Sequence, residues 1–105
     1  SIDVKQIELY LESNYQWGVT LEQTANQFYI SKEYLSKVFK EKTGTSFSDY
    51  VTSLRMNKAK ELVMESKVPL KEIPELVGYA DLAYFYRVFK KYFGMTPGKM
   101  HEGLK

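Results

Sequence analysis

Two short stretches, YLSKVFKEKTG at 34–44 and YFYRVFKKYFG at 84–94, gather the side chains best suited to holding a charged ligand. The first sets Lys37, Lys40 and Lys42 against Glu41; the second carries Arg87, Lys90 and Lys91 with no acid. Cations three or four residues apart share a helix face, and a basic stripe of that kind attracts an anionic partner. The plainer reading of the same residues is a solvated helix face, so charge alone leaves both open. Other chemistry has little to stand on. The chain has no Cys, no glycine-rich phosphate loop, and one histidine, His101, near its C-terminal end. Nucleophilic catalysis needs a base beside its nucleophile, and a zinc site needs ligands at set spacing. Neither pattern is present, so no enzyme activity, metal or cofactor is expected.

The elements that must position these residues are marked by their own capping residues. Asp3 caps a first helix with Val4, Ile7 and Leu11 at helical spacing, and Asn14–Gly18 breaks it. Thr20 to Gln23 forms a capping box before a short helix carrying Leu21, Thr24, Ala25 and Phe28. Ser31 caps the first basic helix, which turns Leu35, Val38 and Phe39 inward and stops at Gly44. Ser46 to Asp49 opens the longest helix, roughly Phe47 to Glu65. A short helix near Leu70–Val77 ends at Gly78, Asp81 caps the second basic helix, and Thr96-Pro97 starts the last. No segment alternates as a strand does. The fold class is all-α: about seven helices, two helix-turn-helix subdomains and a long linker helix. The divisions fall at 1–45, 46–66 and 67–105.

The repeat extends beyond the two basic stretches. Tyr34, Val38, Phe39, Lys40 and Gly44 recur fifty residues on as Tyr84, Val88, Phe89, Lys90 and Gly94. Upstream, Leu21, Thr24 and Phe28 align with Leu70, Ile73 and Val77 at forty-nine, with one extra residue near 78–80. Each copy runs short helix, tight turn, basic helix, glycine stop and hydroxyl cap. That is a duplicated helix-turn-helix, whose second helix enters the DNA major groove.

EIPELVGYADLAYFYRVFKKYFGMTP (72–97) and DYVTSLRMNKAKELV (49–63) resemble, respectively, the second-half pattern and the linker helix of the AraC family of bacterial transcription regulators. The likeness spans essentially the whole chain, and VKQIELYLESNY (4–15) also looks like the first helix of AraC-type output domains in two-component response regulators. The resemblance implies sequence-specific double-stranded DNA binding for transcription regulation in the bacterial cytoplasm. It also implies a sensor, receiver or dimerisation domain on the N-terminal side, with RNA polymerase as a candidate partner. The chain departs from the pattern in two places. Pro74 stands where the family usually has Ala, and it is tolerated only in a first helical turn, so the fifth helix is expected to start late or distort. Met100-His101 stands where Tyr-Arg is frequent.

Recognition helices touch base edges with their N-terminal residues. The base-contacting set is therefore Lys32, Glu33, Ser36 and Lys37 in one groove, and Leu82, Ala83, Tyr86 and Arg87 in the next; the matching family positions also face bases. Lys37 and Arg87 can donate to guanine, Glu33 can accept from cytosine, and Leu82 and Ala83 can meet only a thymine methyl or a sugar. Lys40 and Lys90 lie one turn further on, where phosphates run, and Thr20, Ser46 and Thr96 stand at helix N-termini that can hold phosphate oxygens. Tyr34 and Tyr84 are either hydroxyl donors to phosphate or half-buried rings. Arg55 is expected in an internal ion pair, and Trp17 is expected to plug the first subdomain.

Net charge is only +2, but residues 31–60 hold seven cations against three acids. No apolar run approaches the roughly 18 residues that span a bilayer, so no membrane contact is expected. The start at Ser1 rather than Met suggests a piece of something longer. The rival reading is a helical protein-interaction module docking its basic stripes on an acidic partner. It leaves the paired caps unexplained.

Overall fold

The computed structural model describes residues 2–104 and forms seven α-helices, with no strand among the described residues. These are α1 (Val4–Asn14), α2 (Leu21–Gln27), α3 (Lys32–Thr43), α4 (Phe47–Glu65), α5 (Ile73–Leu76), α6 (Leu82–Phe93) and α7 (Pro97–Glu102). Short 3-10 turns at Tyr15–Trp17 and Leu70–Glu72 follow α1 and precede α5. The chain divides into two compact units, Ser1–Leu54 and Arg55–Lys105, with the division inside α4.

The first unit buries Val4, Ile7 and Leu11 of α1, Leu35 and Phe39 of α3, and Phe47 and Val51 from the start of α4. Phe39 meets Phe47 and Tyr50 edge-on, at 5.9 and 5.3 Å between ring centroids. The second unit buries Met56, Ala59 and Val63 from the rest of α4, with Ile73, Val77, Tyr79, Phe85 and Phe89. Burial of such side chains is worth about 1.5–3 kcal/mol each, and it fixes which face of α3 and of α6 is left outward.

The duplication holds down to single hydrogen bonds. Phe28 N–H donates to Thr24 O, Tyr29 to Asn26 and Ile30 to Ala25; forty-nine residues on, Val77 donates to Ile73, Gly78 to Glu75 and Tyr79 to Pro74. After the extra Ala80, Ser31 and Asp81 each accept from the backbone three residues on, at Tyr34 and Tyr84. Gly44 and Gly94 both close their helices in the left-handed region, at φ +78° and +79°. Ser46 and Thr96 then cap α4 and α7 through Asp49 and Lys99. Each cap satisfies an N–H that the helix start leaves without a partner.

The copies differ in three instructive places. Thr20 caps α2 by accepting from Gln23 N–H, whereas Pro69 has no side-chain oxygen to offer. Pro74 cannot donate an amide hydrogen, and the segment expected as one helix over 70–77 opens as a 3-10 turn with only Ile73–Leu76 α-helical. The late start expected from Pro74 is therefore present, in a buried proline. The turn itself uses Gly78 at φ +100° in the second copy but Tyr29 at φ +58° in the first. A non-glycine residue there costs about 1–2 kcal/mol, and the Tyr29 ring, 95% exposed, recovers little by packing. Tyr29→Gly is expected to stabilise the protein by about 0.5–1 kcal/mol, because glycine's greater freedom when unfolded offsets part of the relief. A lowered thermal midpoint would show that the ring does contribute in the folded state.

Two expectations need correcting. Trp17 does not plug the first unit. It ends the Tyr15–Trp17 turn and is 75% exposed, while the partly buried rings of Tyr10 and Phe28 pack against the core and meet edge-on at 5.5 Å. Val88, which the repeat aligns with the inward-turned Val38, is only partly covered. Met56 and Tyr79, both buried, carry core contacts that the helical pattern did not single out.

Candidate nucleic-acid interface

In the first unit α3 packs on the core through its apolar side. Leu35 and Phe39 are fully buried, so Lys32, Glu33, Ser36, Lys37 and Lys40 are left exposed. At about 100° per residue these five fall within roughly 140° of arc, a single face. The helix start is fixed by Ser31, whose hydroxyl oxygen accepts from Tyr34 N–H at 3.1 Å. Lys32 is not a free cation: its Nζ lies 3.8 Å from Glu22 Oε2 on α2. That pair is exposed on both sides and therefore easily exchanged for another anion. The charge pattern of α3 did not reveal Glu22, which becomes a neighbour only because the turn at residues 28–31 folds α2 beside α3.

The second unit repeats the frame around α6 with different chemistry. Phe85 and Phe89 are fully buried, leaving Leu82, Ala83, Arg87 and Lys90 exposed on the corresponding face. Tyr86 is partly buried, with its ring edge-on to Phe85 at 5.6 Å. Arg87 has a support that its position alone did not suggest. Its guanidinium carbon sits 5.6 Å from the centroid of the Tyr84 ring, a cation–π contact between residues three apart. The ring is half exposed and lies 5.9 Å from Tyr79. The i,i+3 spacing of an aromatic and an arginine is the signal that could have found this pair.

The remaining residues of the expected set are also accounted for. Thr20 and Thr96 are exposed and Ser46 is partly buried; each side-chain oxygen accepts from a backbone N–H within its own helix start, at 3.1–3.2 Å. Lys40 and Lys90 occupy the last turns of α3 and α6. Arg55, expected in an internal ion pair, lies over the buried Tyr79 ring at 5.2 Å. Burial pushes the Tyr79 hydroxyl above its ordinary pKa, and the Arg55 charge and hydrogen bond pull part of that shift back. In the first unit, burial beside the Glu12 carboxylate, with Glu8 adding charge, pushes Tyr50 up to about 12. Its hydroxyl donates to Glu12 Oε2 at 3.3 Å. His101 Nδ1 lies 3.2 Å from Ser66 Oγ, joining the end of α4 to α7. No group of His, Cys, Asp and Glu among the described residues can hold a metal ion.

The geometry is thus two capped helices, each anchored by two aromatic or aliphatic side chains and each presenting a face rich in hydrogen-bond donors or exposed apolar tips. Comparison with known proteins agrees with that frame. A family model described as a helix-turn-helix domain matches residues 24–103. The Msm operon regulatory protein of Streptococcus mutans is 29% identical over 102 residues, which is 97% of this chain and 37% of that protein. The chain therefore spans little more than a third of that relative. Among solved structures, the C-terminal domain of AraT, a response regulator from Geobacillus stearothermophilus, superposes with a TM-score of 0.92 at 35% identity. The match covers 95% of this chain and 84% of that one. The C-terminal domain of the two-component response regulator yesN from Fusobacterium nucleatum gives 0.88 at 35% identity, over 92% and 95% of the two chains.

Proposed function

Because the chain belongs to the AraC-type helix-turn-helix family of DNA-binding transcription regulators, we propose that α3 and α6 are its two recognition helices and read successive major-groove faces of one duplex. The observation that carries this reading is the duplication itself. The two copies share the backbone hydrogen bonds of the turn, the caps of the basic helix and of the helix after it, and the buried pair of the basic helix, yet differ on its outward face, where a reader of two different half-sites must differ. Lys32, Glu33, Ser36 and Lys37 contact bases in one groove, and Leu82, Ala83, Tyr86 and Arg87 in the other. Lys40, Lys90, Thr20, Ser46 and Thr96 hold phosphates.

The continuous α4 joins the two reading elements. Its nineteen residues span about 28 Å at 1.5 Å per residue, against a groove repeat of about 34–36 Å. A site read by both helices need not be symmetric, and any mismatch of spacing is taken up by bending the DNA at about 1–6 kcal/mol. By likeness to the two response-regulator domains, this chain serves as an output domain following an N-terminal input domain, with RNA polymerase as a further contact.

The test is selection of bound duplexes from a random pool, followed by the salt dependence of binding to the winner. Two short boxes about one turn apart are expected, with steep loss of affinity as salt rises. Each neutralised phosphate contributes about 0.9 to the slope of log K against log salt. Replacing Lys40 and Lys90 together by alanine should reduce that slope by about 2, while leaving the order of preferred sequences unchanged. A single box would leave one helix as a backbone clamp. No enrichment and a flat salt response would instead favour docking of the basic faces on an acidic protein.

A further inference from the structure

We infer, resting on the two-helix reading above, that α6 recognises a thymine-rich box through the C5-methyl groups of thymine, whereas α3 reads its box through hydrogen bonds. The outward positions of α3 and α6 align residue by residue at a spacing of fifty. Lys32, Glu33 and Ser36 of the first become Leu82, Ala83 and Tyr86 of the second. The inward positions keep their character, with Leu35 and Phe39 answered by Phe85 and Phe89, all fully buried. At the Lys32/Leu82 and Glu33/Ala83 positions both residues of each pair are exposed, so the demands of packing do not explain the change there, whereas Tyr86 packs edge-on against Phe85. Leu82 is 45% exposed at the first position of α6, where an apolar tip has no part in the core.

A leucine or alanine at a base edge has neither donor nor acceptor. Pressed against guanine, adenine or cytosine it strips water from polar atoms and returns no hydrogen bond. In the major groove thymine alone offers a methyl group, which apolar side chains accept. Ala83 and Arg87 are four residues apart, hence on one helix face and separated by about 6 Å along the axis. That distance is roughly two base-pair steps at about 3.4 Å each. Arg87, held over the Tyr84 ring, presents its fork to guanine O6 and N7. The box read by α6 therefore carries thymine methyls within about two steps of a guanine.

The experiment uses the selected duplex with each thymine in turn replaced by deoxyuridine, which removes the methyl and keeps every base pair. Affinity should fall about fourfold for each contacted thymine in the box that Arg87→Ala relaxes, as expected for one buried methyl-sized group. Substitution in the other box should change it by less than about 1.5-fold, below the loss of one such contact. Leu82→Ala removes an exposed side chain from the helix start, so the core stays intact, and it should abolish part of the thymine preference. Deoxyuridine without effect in either box, while Arg87→Ala still relaxes one box, overturns the methyl reading alone. Equal loss in both boxes overturns the contrast between the helices. No preferred duplex at all overturns the two-helix reading together with this one.

Discussion

Phe89→Ala is expected to destabilise the second unit by about 3–5 kcal/mol, enough to remove most of its structure. Phe89 is fully buried and central to an aromatic chain along α6, with Phe85 at 5.7 Å and Phe93 at 4.7 Å between centroids. Deleting it forfeits the transfer energy of the ring and leaves a cavity that rigid neighbours cannot fill. Domains hold only about 0.05–0.15 kcal/mol per residue, so a unit spanning Arg55–Lys105 has a reserve comparable to the loss. Phe89→Leu keeps much of the volume and should cost far less, about 1–1.5 kcal/mol.

The measurement is amide hydrogen exchange, residue by residue, on both variants. In Phe89→Ala, protection should collapse across α5, α6 and α7 while α1 and α3 keep theirs, because the first unit has its own buried set around Phe39 and Leu11. Loss of protection in both units together would mean that the two cores unfold as one. Undiminished protection in α6 would mean that the site collapses around the missing ring.

Much of this architecture is legible in the sequence because its controlling interactions are local. Ser31, Asp81, Ser46 and Thr96 act on backbone groups three residues away, so a cap can be read without knowing the tertiary fold. Pro74 is similarly self-contained: a missing amide hydrogen shortens the helix wherever the helix lies. The outward faces of α3 and α6 were readable for a related reason, since Leu35/Phe39 and Phe85/Phe89 fix the rotation of each helix.

What was misread depends on packing across elements. A large ring in a loop is expensive to expose, which makes Trp17 read as a plug, but it is 75% exposed and the rings packed against this core include Tyr10 and Phe28. Met56 is hard to place from spacing, because α4 taken as one amphipathic helix has a single inner face, whereas its two halves serve two separate cores. Arg55 was recognised as internal, yet the ring of Tyr79 beneath it could not be read from spacing. The Lys32–Glu22 pair was hidden in the same way, since it joins two helices through a turn.

Arg87→Ala is expected to weaken binding to the preferred duplex by about 1–3 kcal/mol, or roughly 5- to 150-fold, through one base pair of one box. The prediction rests on geometry more than on charge. Arg87 is exposed on the outward arc of α6 and is steadied over the Tyr84 ring, so less side-chain freedom would be lost on meeting guanine with its planar fork. Arg87→Lys should restore little of the affinity, because an ammonium keeps the charge but neither the bidentate fork nor the stacking. Tyr84→Phe retains the ring and should bind nearly as the parent does, whereas Tyr84→Ala should recover part of the Arg87→Ala phenotype. Salt dependence separates this role from a phosphate contact. A base-reading arginine leaves the slope of log K against log salt almost unchanged, while a phosphate-binding one lowers it by about 0.9. Replacing the contacted guanine by 7-deazaguanine removes the N7 acceptor and should penalise the parent while leaving Arg87→Ala indifferent. A uniform loss across all sequences with a reduced salt slope would instead put Arg87 on the backbone, and α6 would then specify its box through its apolar tip and Tyr86 alone.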